Sequence, residues 1–414
     1  MIDSRGSLMS VKRLLSSIIL YVLLSSDGLS AQNRPDPIVN TLDRYIVPIR
    51  AVDPDSSFAD IGFLKETLKD KQVIGIGEGT HGSHELFRYK DRLIRFLVTE
   101  LHFKAIAFES DFAAVQQLDE YVTGRQDRIR FLGGFPLVGE TKEMLTWLRE
   151  YNKSLPLGEK VRLHGLEARS VANITKLLLD SVPNLSAENR EVLSRICNIP
   201  EYSLKQKDIA ELQACIPSLY ASISNASDQL QQRYVRLLEQ KTAYILQSTR
   251  KQAGMRDEAM FENAVWTTER AADQKLIIWA HNGHLSKENI FTQVPLGKYL
   301  SEKYGTGYFS IATDFNHGEV TVHVKHEGEY KPRPVYFRPA KSAKEYEFYF
   351  GQARYENFLL DLNQAVKNPE LKLWLEGPRM MKLIGGTPTP SESKLSISRC
   401  FDLLCFFRKS TAIR

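Results

Sequence analysis

Five short apolar runs, at residues 73–77, 104–108, 161–166, 276–280 and 308–312, each lead into a stretch whose apolar residues recur at helical spacing. The first makes the pattern plain. Val73, Ile74 and Ile76 form a run too short for a helix, and Phe87, Leu93, Ile94, Phe96, Leu97 and Leu101 follow at intervals of three and four. Buried strands alternating with amphipathic helices bury both faces of a sheet only when the strands run mostly parallel and the helices cover them. The expected fold class is therefore α/β, a mostly parallel central sheet flanked by helices.

The period changes twice along the chain. Residues 170–270 offer no convincing strand, only long helical patterns such as DIAELQACIPSLYASI and QLQQRYVRLLEQKTAYILQ, punctuated by Pro200 and Pro217. They predict a helical insertion or lid. The last hundred residues return to β: EVTVHVKHEG alternates, PVYFRPA follows, and FDLLCFFRKS is a final buried strand. GGTPTPSES, 385–393, reads as a surface loop. The fold proper is expected over 58–414, with a proline-rich lead-in at 32–57.

Residues 1–31 are read as a signal peptide. Lys12 and Arg13 precede an apolar stretch from Leu14 to Leu24, and small residues lead up to Ala31. Met9 is an alternative start. The stretch falls short of the roughly 20 residues a membrane span needs, so no stable anchor is expected after cleavage. The chain is expected to be exported, to the periplasm or beyond the cell. Export permits disulfides, and Cys197 and Cys215 could pair across a helical turn, but four cysteines in 414 residues are no disulfide framework. The formal charge of +5 is spread without a basic block, which argues against a nucleic-acid surface.

In open α/β sheets ligands bind beyond the carboxyl ends of the strands. Four expected strands end in acids and histidines: Glu78 and His81, Glu109 and Asp111, His164 and Glu167, then His281 and His284. Singly, each has a bland reading. A strand-end acid commonly caps the next helix, His84 and Glu85 fit a solvated helix face, His102 fits a helix end, and His317, His323 and His326 fit the surface of a late hairpin. Together the strand-end groups make a candidate acid–base cluster.

The stretch GIGEGTHGSHELFRYKDRLIRFLVTELHFKAIAFES resembles the signature of the erythromycin esterase family. RDEAMFEN (256–263), IIWAHNGHLS and LGKYLSEKYGTGYFSIATDF (296–315) resemble its later motifs, in the family's order. The resemblance runs from about residue 60 to the C-terminus. It implies hydrolysis of a small-molecule ester or lactone, in the best-known members that of a macrolide antibiotic. It places the general base on His81, paired acids on Glu78 and Glu109, and a later histidine pair on His281 and His284. A basic residue nine positions beyond the base, arginine in some members, is Lys90 here, and a guanidinium and an ammonium are not interchangeable. His164 and Arg256 are candidate substrate contacts.

The residues themselves agree with hydrolysis by activated water. No Gly-x-Ser-x-Gly elbow is present, so a covalent serine route has no motif. His81 can take a proton from water while a carboxylate steadies the imidazolium, and His281, His284 or Lys90 can meet the developing oxyanion. No cofactor is expected. Two alternatives stay open: a divalent metal on Glu78, His81, His281 and His284, and a non-catalytic binding protein on the same scaffold.

Overall fold

The strand-forming runs assemble into one nine-stranded sheet. The computed structural model describes residues 36–130, 133, 135–223, 229–390 and 393–414; the expected signal peptide lies outside them. The strands are β1 (Ile46–Pro48), β2 (Val73–Glu78), β3 (Ala105–Asp111), β4 (Arg162–Glu167), β5 (Leu276–His281), β6 (Tyr308–His326), β7 (Glu329–Phe337) and β8 (Asn357–Asp361). A separate two-stranded ribbon joins β9 (Arg379–Met380) to β10 (Lys394–Leu395), and β11 (Leu403–Ser410) returns to the main sheet. The order is β1-β8-β11-β6-β2-β5-β3-β4, with β7 hairpinned onto β6. From β11 to β4 every pairing is parallel; β1, β8 and β7 add antiparallel edges. The mostly parallel sheet is as the sequence predicts.

β2 sits at the middle, and all six of its positions are buried. The helix His84–Leu101 follows it, started by Ser83, whose hydroxyl accepts from the Leu86 N–H at 3.3 Å. It ends at His102, which caps it in the left-handed region at φ 60°. Phe87, Leu93 and Leu97 on its inner face are fully or almost fully buried against the sheet. At about 1.5–3 kcal/mol for each such side chain, burial rather than local propensity fixes the turn between strand and helix.

Three parts differ from the sequence reading. The lead-in is woven into the sheet, since β1 pairs with β8 and the helix Pro37–Leu42 buries Val39 and Leu42 in a second core. The fifth strand and the late hairpin's first arm are one long strand, β6. It runs on past Gly318, which has φ 129° and where any Cβ would lie 2.0 Å from the Ser410 carbonyl oxygen. All four cysteines are free thiols, so Cys197 and Cys215 are not bridged.

The helices Val171–Ser181, Ala187–Ile196, Gln206–Ser222, Gln229–Ile245 and Thr249–Arg270 fill the expected helical region and share one core. The last of them packs on β3, β4 and β5. Among the described residues no helix is long and apolar enough to cross a membrane.

Candidate active site

The carboxyl ends of β2, β3 and β5 are neighbours in the sheet, and their terminal residues meet. Glu78 ends β2, and the turn after it brings His81 back, with His81 Nδ1 2.6 Å from Glu78 Oε1. The glycines here serve packing rather than positive φ. A Cβ at Gly82 would lie 1.9 Å from the Thr321 carbonyl oxygen on β6, so only glycine lets the turn press that close.

Glu78 is held from behind. Its Oε2 accepts from Lys90 Nζ at 2.8 Å and from Trp279 Nε1 at 2.6 Å, and the Lys90 ammonium lies 4.1 Å from the Trp279 ring centre. Burial alone would raise the pKa of Glu78, but Lys90 and His81 outweigh it and hold the group below its ordinary value. Burial lowers Lys90 to about 8, with Glu78 and Glu109 resisting. Burial pulls His81 down too, yet the hydrogen bond and charge of Glu78 and the charge of Glu109 win and raise it.

Glu109, at the end of β3, spans the other half of the cluster. Its Oε1 accepts from Arg256 at 2.7 Å, and its Oε2 accepts from the backbone N–H of His281 at 2.8 Å. Despite burial, His284, Arg256 and His81 hold it well below the usual carboxylate range. Arg256 also bonds both oxygens of Glu167, at 2.7 and 2.9 Å. His284 Nδ1 lies 2.7 Å from Asp257, and its Nε2 lies 2.9 Å from Arg256 and 3.4 Å from Glu109. Each proton state of Nε2 thus has a partner. Burial opposes charging the ring, but Glu109 and Asp257 raise its pKa to about 10.

His281 is built differently. Its Nδ1 accepts from the Gly283 N–H at 3.1 Å, so in the neutral ring the proton sits on Nε2. That Nε2 is buried without a partner, and the ring centre is 5.4 Å from that of His81. Burial and the nearby His81 charge push His281 down to about 3, which keeps it neutral. The result is an orphan N–H donor beside the candidate base.

A cavity of about 510 Å³ opens over this cluster. Glu78, His81, Glu109 and Ser110 form its polar floor, Phe108, Phe135, Pro136 and Trp279 an apolar wall, and Arg169 and His323 its far rim. His81 is 40% exposed and no protein group bonds its Nε2 among the described residues. None of the helices between 171 and 270 lines the cavity; their links to the site are Arg256 and Asp257.

The structure thus gathers Glu78, His81 and Lys90 into one bonded group and Glu109, His281, His284 and Arg256 into another, the two meeting where the rings of His81 and His281 lie 5.4 Å apart, but not all of them on the cavity. Lys90 is fully buried behind Glu78, His284 and Arg256 stand behind Glu109, and the His281 ring is buried beside His81, so none of the four lines the cavity. His164 is not brought in. It pairs with Ala107 in mid-strand, three residues before β4 ends at Glu167, and burial lowers it to about 4. Asp111 is a cap, accepting from the Ala114 N–H at 3.0 Å. The surface readings of His323 and of 387–389 hold, since all are exposed, but the surface they form belongs to the site; 391–392 lie outside the described residues. His323 lines the cavity, and Gly385 accepts from the His81 backbone N–H at 3.2 Å. Sequence reasoning missed Trp279, Arg169 and Asp257; the tryptophan two residues before His281 was the one available signal.

The family and its curated relatives make this chain a hydrolase. The chain belongs to the erythromycin esterase family, whose profile matches residues 98–410. It is 24% identical to erythromycin esterase type II of Escherichia coli over 317 residues, 65% of this chain and 74% of that protein. A succinoglycan biosynthesis protein of known structure matches with a TM-score of 0.78 at 23% identity, covering 91% of this chain and 97% of that one. An erythromycin esterase mutant in its open conformation matches with a TM-score of 0.67 at 17% identity, covering 87% and 96%. These two structures bear on the fold alone.

Proposed function

We propose that the protein hydrolyses a carboxylic ester or lactone with His81 as the general base. The observation that carries this reading is a histidine with Nδ1 fixed on a buried carboxylate and Nε2 open to a cavity with an apolar wall. His81 Nε2 takes a proton from water, and the hydroxide adds to the ester carbonyl. Glu78 steadies the imidazolium. His281 Nε2–H, neutral and unpartnered, supplies a hydrogen bond to the oxyanion when substrate enters. Collapse expels the alkoxide, which recovers the proton from His81. Lys90, His284 and Arg256 act at one remove, holding Glu78 and Glu109 in place.

The reading needs no metal. Both oxygens of Glu78 and both nitrogens of His284 already have protein partners, and no three His, Cys, Asp or Glu side chains among the described residues are grouped to hold an ion. It also has the chain exported, on the strength of the basic pair and apolar stretch at its N-terminus. The test is the purified mature chain assayed against a macrolide and a panel of simple esters, with and without prolonged chelation. Turnover of at least one class that survives chelation supports it. Activity lost to chelator and restored by one divalent ion would overturn the metal-free mechanism, and no turnover at all would overturn the hydrolase.

A further inference from the structure

Beneath the site, on the opposite face of β6, two acids are buried together. Asp314 is fully buried; its Oδ1 accepts from the Phe315 N–H at 2.7 Å and its Oδ2 has no partner. Glu347, in the helix Tyr346–Phe350, is 1% exposed; its Oε1 accepts from the Lys382 backbone N–H and its Oε2 has no partner. The two carboxyl groups lie within hydrogen-bonding reach of each other. Two orphan carboxylate oxygens side by side are both satisfied if one group carries a proton and donates it to the other.

Lys382 joins this pair to the site. Its ammonium donates to the Asn316 carbonyl, and the chain from 382 to 386 then runs as a strap along the His81 turn. Ile384 N–H donates to Gly79 O at 2.8 Å, His81 N–H to Gly385 O at 3.2 Å, Thr80 Oγ1 to the same oxygen at 3.2 Å, and His323 N–H to Gly386 O at 2.8 Å. The strap holds the backbone of His81 on one side and of His323 on the other.

We propose that Asp314 and Glu347 form a proton-sharing latch, closed onto Lys382, that positions the strap and through it the His81 turn. Burial, then the charge of Glu347, raises Asp314 well above its ordinary value; burial raises Glu347 too, while Lys382 and the hydrogen bond with Asp314 pull it down, so the shared proton belongs on Asp314. The other groups facing the pair are few. Lys382 favours ionisation of both acids, Tyr346 lies beside Glu347, His317 on β6 feels Lys382, and β11 sets the uncharged Phe406 opposite Asp314. As pH rises the shared proton is lost, two carboxylates face one ammonium, and the latch loosens.

The effect on hydrolysis rests on His81 being the base, so the latch is best read without activity. Amide hydrogen exchange of the full chain, corrected for intrinsic rates, follows Ile384, His81 and His323 in wild type and Asp314→Asn. An asparagine still donates to Glu347 but has no proton to lose. Wild-type protection should fall roughly tenfold as pH is raised from neutral into the alkaline range, while the variant's stays level. The alkaline fall in kcat should likewise be smaller in the variant. Should Asp314→Asn not fold, Glu347→Gln makes the same test. Equal pH dependence in wild type and variant, or none in wild type, would overturn the latch. Level protection in the variant with no ester turnover in either protein would leave the latch standing and remove the hydrolase reading.

Discussion

Two histidine–carboxylate pairs lie three residues apart, and only one looks like a catalyst. His81 Nδ1 lies 2.6 Å from Glu78, and His84 Nδ1 lies 2.5 Å from Glu140. Both histidines border cavities, of about 510 and about 470 Å³. The difference is in what stands behind each acid. Glu78 is backed by a buried lysine and an indole N–H under an aromatic wall. Glu140 spends an oxygen on the backbone N–H of Arg414, and its cavity is rimmed by Asp53, Glu85, Arg88 and Glu143. A pair gains catalytic meaning from a supporting charge system and an apolar face for substrate; the second pair ties the helix start to the chain's last residues.

Substitution should separate the two pairs sharply. His81→Ala is expected to lower kcat by about 10²–10⁴-fold with an unchanged melting curve, since the ring is part exposed. Turnover within a few-fold of wild type would remove His81 from the base role. Lys90→Met should come next. It leaves Glu78 buried without its cation, so chemical denaturation should show a loss of about 3–5 kcal/mol and kcat should fall more than KM rises. Unchanged stability would mean that Lys90 does not carry the charge of Glu78. His164→Leu should leave KM unaltered, because that ring is in mid-strand and off the cavity; a raised KM would restore it as a substrate contact. Smallest of all, His84→Ala should keep kcat/KM within a few-fold of wild type, and a loss matching that of His81→Ala would erase the distinction drawn between the pairs.

The contrast also marks what was legible in the sequence. Strands, their order of chemistry and the cluster of strand-end acids followed from periodicity and from the rule on carboxyl ends. What failed was depth. Lys90 was expected to face the reaction, but twelve residues beyond Glu78 on a helix whose inner face packs on the sheet, it arrives behind the acid. His164 lies inside the 161–166 run rather than beyond it, so its pairing with Ala107 in mid-strand keeps it from the strand end where Glu167 stands. Nothing in an alternating hairpin or a Gly-Gly-Thr-Pro run tells that β6 carries His323 to the cavity rim, or that the segment at Gly385 lies against the turn after the second strand. The metal alternative fits the residue types, and residue types alone do not choose between it and a free histidine base.

The central claim is that Glu78 sets the proton affinity of His81, and one measurement reaches it most directly. A base works when neutral, so kcat/KM should rise with pH through an acid limb, above the roughly 6.5 of an unperturbed histidine because His81 is raised. Glu78→Gln keeps a hydrogen-bond acceptor for Nδ1 but removes the charge that favours the imidazolium. The acid limb of that variant should move to lower pH even as its rate falls. A limb that stays in place, or moves to higher pH, would contradict the account, because the titrating base would then be a group that does not feel Glu78.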